Sequence, residues 1–147
     1  METDKVEILL VEDNPNDVEL TLHALNKSHL TNKIHVARDG EEALEFFFGK
    51  NNEDPNRQIP APKVILLDLK LPKIDGMEVL RKIKNDPATK SIPVVVLTSS
   101  NEDKDIVETY SLGVNSYIVK PVDFAKFVEA MRTLGMYWLM LNRPLQD

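Results

Sequence analysis

"ILLVEDNPND" (residues 8–17) begins with four apolar residues, Ile8 to Val11, and turns at once into Glu12 and Asp13. Two adjacent carboxylates at the mouth of an apolar run repel each other. At about 4 Å the repulsion is roughly 1 kcal/mol in water and about 4 kcal/mol where the effective dielectric is near 20. A surface turn tolerates such a pair, whereas a cation held between acids makes use of it. The run itself is continuous rather than alternating, the pattern of a strand covered on both faces. Asn14 followed by Pro15 then signals a helix start, an N-cap with proline at the first helical position. Val18, Leu22 and Leu25 continue as an apolar stripe.

The same alternation recurs along the chain. "VEILLV" (6–11), "KIHVA" (33–37), "KVILLD" (63–68), "IPVVVLT" (92–98) and "VNSYIVK" (114–120) are the predicted strands. Helical signals lie between them. Asp39 and Glu42 form a candidate capping box ahead of "GEEALEFFF". Asp75 is placed to cap "GMEVLRKIKN", which Asp86-Pro87 ends. "DKDIVETYSLG" finishes at Gly113, and residues 123–141 carry Phe124, Phe127, Val128, Met131, Leu134 and Trp138 at helical spacing. Five β-α units predict an α/β fold, a doubly wound parallel sheet with helices on both faces, because right-handed crossovers place them there. The polar, proline-rich "GKNNEDPNRQIPAP" (49–62) predicts a long surface loop.

Composition bounds the function. The 147 residues suit one domain, with 42% hydrophobic and 29% charged residues as in an ordinary soluble protein. A net charge of −6 without a basic cluster argues against nucleic acid. No apolar run approaches the ~20 residues that cross a bilayer, and "METDKVE" lacks the features of a signal peptide. The absence of cysteine excludes disulfides, zinc-thiolate sites and thiol nucleophiles. A cytoplasmic location is the expectation.

In an open parallel sheet, ligands gather beyond the carboxyl ends of the strands. Strand one delivers Glu12 and Asp13 there, strand three Asp68, strand four Thr98 and strand five Lys120. The three acids carry −3, reduced to −2 by Lys120. Hard oxygen donors with no histidine or cysteine beside them favour Mg²⁺ or Mn²⁺. Such an ion, a lysine and a hydroxyl can bind phosphoryl oxygens while a carboxylate attacks the phosphorus. Asp68, from a central strand, is the candidate nucleophile, and Thr98 is placed to meet the phosphoryl group.

"LLVEDN", "VILLDLKLPKIDG", "VVVLTSS" and "GVNSYIVKP" together resemble the receiver domain of two-component response regulators, of which the chemotaxis-type single-domain regulator is the simplest form. The resemblance covers roughly residues 5–135, with residues 136–147 as an extension of the last helix and a tail. It implies a flavodoxin-like (βα)5 fold with strand order 2-1-3-4-5. It also implies Asp68 as phospho-acceptor, Asp13 as a direct metal ligand, Glu12 as an acid acting mainly through water, and the backbone carbonyl of Lys70 as a ligand. Thr98 and Lys120 match the phosphoryl-binding pair, with the small Ser99 beside them. Tyr117 matches the aromatic that changes rotamer on activation, and Pro121 the position of a cis Lys-Pro bond. "VEDNPNDVELT", the loop before strand three and "MYWLMLNRP" look like the stand-alone regulators paired with bacterial phytochromes. That likeness implies a phytochrome-type sensor histidine kinase as partner and a homodimer through the last helix and fifth strand.

Rival chemistries fit less well. An aspartyl phosphatase resembles Asp-x-Asp at strand three, but Lys70 stands where the second acid belongs. A flavin phosphate requires a small-residue loop after strand one, not the acidic "EDNPND". A phosphorylation-independent receiver-like interaction module would have no need of the full acid, threonine and lysine set. His23, His29 and His35 fall away from the predicted edge and read as surface residues. "LPKIDG" is accounted for by turn chemistry and helix capping. The expectation is a phosphoprotein switch rather than an enzyme with an external substrate.

Overall fold

The computed structural model describes residues 6–27, 33–49, 60–98, 108–109, 111–114 and 116–119. In chain order these contain β1 (Ile8–Val11), α1 (Pro15–Lys27), β2 (Ile34–Ala37), α2 (Gly40–Phe48), β3 (Val64–Leu67), α3 (Gly76–Asn85), β4 (Val94–Thr98) and β5 (Ser116–Val119). The strands form one sheet in the order β2-β1-β3-β4-β5, every neighbouring pair parallel. Leu9 lies opposite His35 on one side and Ile65 on the other, so β1 is an interior strand paired to both β2 and β3. This is the doubly wound α/β architecture that the strand and helix signals predict.

Strand parity sorts the core into two layers. Leu9, Val11, Ile65, Leu67, Val94 and Val96 face α2 and α3, where they meet Ala43, Phe47, Val79, Leu80 and Ile83. Ile8, Leu10, Val64, Leu66, Val95 and Leu97 face the other way and meet Val18 and Leu25 of α1. Full burial of each such side chain is worth about 1.5–3 kcal/mol. A one-residue slip would exchange the two sets of side chains, so the register is held by the fit of each set to its own helices, α2 and α3 on one face and α1 on the other.

The helix ends follow local chemistry. Asn14 accepts through Oδ1 from the N–H groups of Asn16 (2.8 Å) and Asp17 (3.2 Å), the N-cap that precedes Pro15. Asp39 Oδ1 accepts from Glu42 N–H at 2.8 Å, and Glu42 Oε1 reaches back to Arg38 N–H at 3.0 Å. The capping box therefore forms, with its return bond one residue earlier than the usual partner. Asp75 departs from expectation. It occupies the N-cap position of α3, but its side chain makes no capping bond. Beyond α3, Thr89 Oγ1 donates to Ile83 O at 2.7 Å and closes the turn into β4. Gly113 adopts φ +96° as predicted, and Val114 N–H donates back to Thr109 O at 3.1 Å, a Schellman-type helix stop. The predicted last helix (123–141) and most of the 49–62 loop lie outside the described residues.

The cap bond to Glu42 N–H, reinforced by Lys73, holds the Asp39 carboxyl below its usual pKa of 3.8. A depressed folded-state pKa gives stability that is present above the unfolded value and is lost as pH falls through the folded one. Asp39→Ala is expected to cost about 1 kcal/mol at neutral pH. Urea unfolding across pH should show that cost shrinking as pH drops below 3.8. A gap that stays constant into the acid range would remove the cap from the account.

Candidate functional site

Two backbone hydrogen bonds just past the strand ends assemble the site. Asp68 N–H donates to Val11 O at 2.9 Å, and Glu12 N–H donates to Ala37 O at 3.0 Å. The sheet pairing thus extends one residue past β3 and β1 and sets their acids side by side. Each buried carboxylate also receives a backbone donor. Asn14 N–H reaches Glu12 Oε2 at 3.2 Å, and Lys70 N–H reaches Asp68 Oδ1 at 3.1 Å. Glu12 is 1% exposed and Asp68 6%, while Asp13 is exposed at the rim.

Carboxylate oxygens of Glu12, Asp13 and Asp68 all lie within 4.8 Å of one another. Among the described residues this is the one group of three acidic or histidine side chains so arranged. Like charges at that separation repel by about 3–4 kcal/mol per pair at an effective dielectric near 20. A neutral N–H donor offsets only part of this. A divalent cation offsets far more. Two buried acids and one at the solvent rim, all hard oxygen donors, suit a small oxophilic ion with an open side. The residues present therefore fit a divalent metal.

The remaining predicted residues divide by what is described. β4 runs beside β3 with Val96 opposite Leu67, so Thr98, the last residue of β4, ends the strand next to that of Asp68. Tyr117 sits in β5 opposite Val96. The side chains of Thr98 and Tyr117, and all of Ser99, Lys120 and Pro121, lie outside the described residues. Lys70 is exposed and contributes its N–H to Asp68. His23 and His35 are exposed and away from the acids, and His35 stacks on Phe46 at 4.9 Å. A depression of about 300 Å³ lined by Val6, Pro62, Lys63 and Ile92 opens at the opposite, amino-terminal edge of the sheet, far from the acid cluster.

Sequence reasoning missed the part played by "LPKIDG" (71–76). Gly76 opens α3, and its N–H donates to Leu69 O at 2.9 Å. A Cβ on Gly76 would lie 2.5 Å from Asp68 O and 2.5 Å from Leu69 Cα. The helix thus starts against the backbone of Asp68 itself. The signal in the sequence is the glycine at the first position of the helix, directly after Asp75.

A five-stranded parallel sheet with three acids gathered at its carboxyl edge is the arrangement of a receiver-type domain. Residues 8–132 match the response regulator receiver domain model, and the chain belongs to that family. It is 42% identical over 136 residues to the "Probable methanogenesis regulatory protein FilR2" of Methanothrix harundinacea, covering 92% of this chain and 85% of that one. It is 39% identical over 132 residues to the response regulator Rcp1 of Synechocystis sp., covering 90% and 88%. Among solved structures, the phosphorylated cyanobacterial phytochrome response regulator RcpA superposes with a TM-score of 0.79 at 38% identity, covering 95% of this chain and 97% of that one. The Mn²⁺-bound form of Rcp1 gives 0.77 at 37% identity, with coverage of 97% and 99%. The bacteriophytochrome response regulator AtBRR gives 0.70 at 50% identity, with coverage of 95% and 99%. The protein is a response regulator of the two-component class, homologous to phytochrome response regulators.

Gly76→Ala is expected to destabilise the fold by about 1–3 kcal/mol, the range for forcing extra atoms into a packed contact. Chemical denaturation measures it. Unchanged stability would mean that the helix start is not seated on the Asp68–Leu69 backbone.

Proposed function

We propose that Asp68 is the phospho-acceptor of a phosphorelay, loaded from a sensor histidine kinase. The observation that carries this reading is the convergence of the Glu12, Asp13 and Asp68 oxygens within 4.8 Å at the carboxyl edge of the sheet. In the reaction a carboxylate oxygen of Asp68 attacks the phosphorus of a phosphohistidine. The new P–O bond forms as the P–N bond breaks, and the electron pair returns to the imidazole, which takes up a proton. The product is an acyl phosphate bearing about −1.5 to −2 charges, much as a phosphorylated hydroxyl does.

Glu12, Asp13, Asp68 and the Lys70 carbonyl would hold Mg²⁺, with Mn²⁺ as a substitute. When bound, the ion screens the acids from the incoming phosphoryl group and neutralises charge on its oxygens. Lys70 N–H keeps Asp68 oriented, and Asn14 N–H does the same for Glu12. Thr98, with Ser99 beside it, and Lys120 would receive the phosphoryl oxygens. Tyr117, in the edge strand β5, would report the change to the surface formed by the fourth helix, β5 and the last helix.

A homodimer through the last helix and fifth strand is the expected output surface. Residues 1–147 are read as one receiver unit with a core at about 5–135, and residues 136–147 as its extension. The cytoplasm is the expected compartment; no described helix is long and apolar enough to cross a membrane. The likeness to RcpA and AtBRR supports a phytochrome-type kinase as donor. The likeness to FilR2 supports a second reading of the input, a kinase serving another signal on the same Asp68 chemistry.

Intact-mass measurement after incubation with a small-molecule phospho-donor tests the assignment. One phosphoryl adduct is expected with Mg²⁺ present, and none with chelator or in Asp68→Asn. Full uptake by the Asn variant would defeat it.

A further inference from the structure

The loop that follows Asp68 is strapped to the start of α2. Lys73 Nζ lies 3.4 Å from Asp39 Oδ2 and 3.4 Å from Glu41 Oε1. Asp39 is thereby used twice, since its Oδ1 caps Glu42 N–H at 2.8 Å. Lys73 is also the one non-glycine residue with positive φ among the described residues, at +68°. A side chain there costs backbone energy that glycine or asparagine would largely avoid. Next to it, Ile74 packs against Gly40 so closely that a Cβ on Gly40 would lie 2.2 Å from Ile74 O. The strap thus spans a loop seated on the N-terminal end of α2.

These contacts form a closed series of links that runs through Glu12 and Asp68. Glu12 is tied to Ala37 by its N–H, and two residues on from Ala37 stands Asp39. Asp39 meets Lys73; three residues later Gly76 N–H holds Leu69 O, and Asp68 N–H holds Val11 O next to Glu12. Between α2 and the loop the Lys73 ion pairs act beside the close Ile74–Gly40 approach, and they are the only links in this series that rest on charge. They are exposed, with the Lys73 side chain 62% accessible, so they are open to screening by salt.

We propose that Lys73 is a positioning residue for phosphoryl acceptance: by holding the loop 70–75 against Asp39 and Glu41, it keeps Lys70 N–H and the Asp68 carboxylate in their working orientation. The inference rests on Asp68 being the acceptor. Lys73 touches neither the acids nor the phosphoryl group, and acts through the loop. The side chain meets Asp39 and Glu41 at the start of α2, where the ion pairs oppose the backbone cost of its positive φ.

The test compares wild type, Lys73→Ala, Lys73→Gly and Lys73→Arg for the rate of adduct formation from a small-molecule phospho-donor and for Mn²⁺ affinity by direct titration. Both neutral variants should form adduct roughly five- to twentyfold more slowly, short of the 100-fold or so lost when a reacting group is misplaced by 1 Å. They should also bind Mn²⁺ more weakly, while Lys73→Arg keeps most of both. Raising ionic strength should slow wild type more than Lys73→Ala. The glycine variant separates strain from tethering, because it relieves the backbone and still lacks the strap. Wild-type rates and affinity in both neutral variants, or a glycine variant faster than wild type, would overturn the strap and leave Asp68 as acceptor. No adduct on wild type would overturn both.

Discussion

Register carried past the ends of the strands is the constraint on which the site depends. Val11 O and Ala37 O accept N–H groups from residues that follow strands, and those residues, Asp68 and Glu12, are acids. Their approach is imposed by the sheet. Neither side chain chooses its neighbour, because β1 and β3 are held by apolar side chains fitted to the helices on each face. The fold stores repulsion at one edge and leaves that edge open to a cation. Stability elsewhere holds the acids together, which is the usual relation between a rigid scaffold and a functional site.

The loops around that edge are held by different forces, and the difference has consequences. Backbone donors from Asn14 and Lys70 orient the two buried carboxylates and cannot be removed by changing those side chains. Gly76 is seated against the Asp68–Leu69 backbone by steric fit. Lys73 acts through charge in solvent, the weakest and most adjustable of these contacts. Under the proposed phosphoryl acceptance at Asp68, a stiff strand would carry the acceptor and a salt-sensitive loop would lie beside it.

Much of this was legible in the sequence. Continuous runs at Ile8–Val11 and Val64–Leu67 are what burial on both faces demands, and both appear as fully buried strands. The predicted strand 63–68 is one residue longer at each end than β3, because Lys63 and Asp68 still make single sheet-like bonds, to Glu7 O and Val11 O. The acid cluster was readable because strand ends in a parallel sheet share one edge. The "LPKIDG" loop was not, since the space at Gly40 is set by Ile74, far away in sequence, and that at Gly76 by how the loop folds back on Asp68 and Leu69. Asp75 misled for a related reason. The start of α3 is anchored by Gly76 N–H on Leu69 O, and the expected side-chain cap is not made.

Calorimetric titration of Mg²⁺ into the unphosphorylated protein, with Asp13→Asn and Glu12→Gln alongside, measures the central claim directly. One ion per chain should bind to wild type, and each loss of a carboxylate should weaken binding markedly. The absence of any Mg²⁺ affinity, or affinity indifferent to both changes, would contradict an acid cluster assembled to hold a metal.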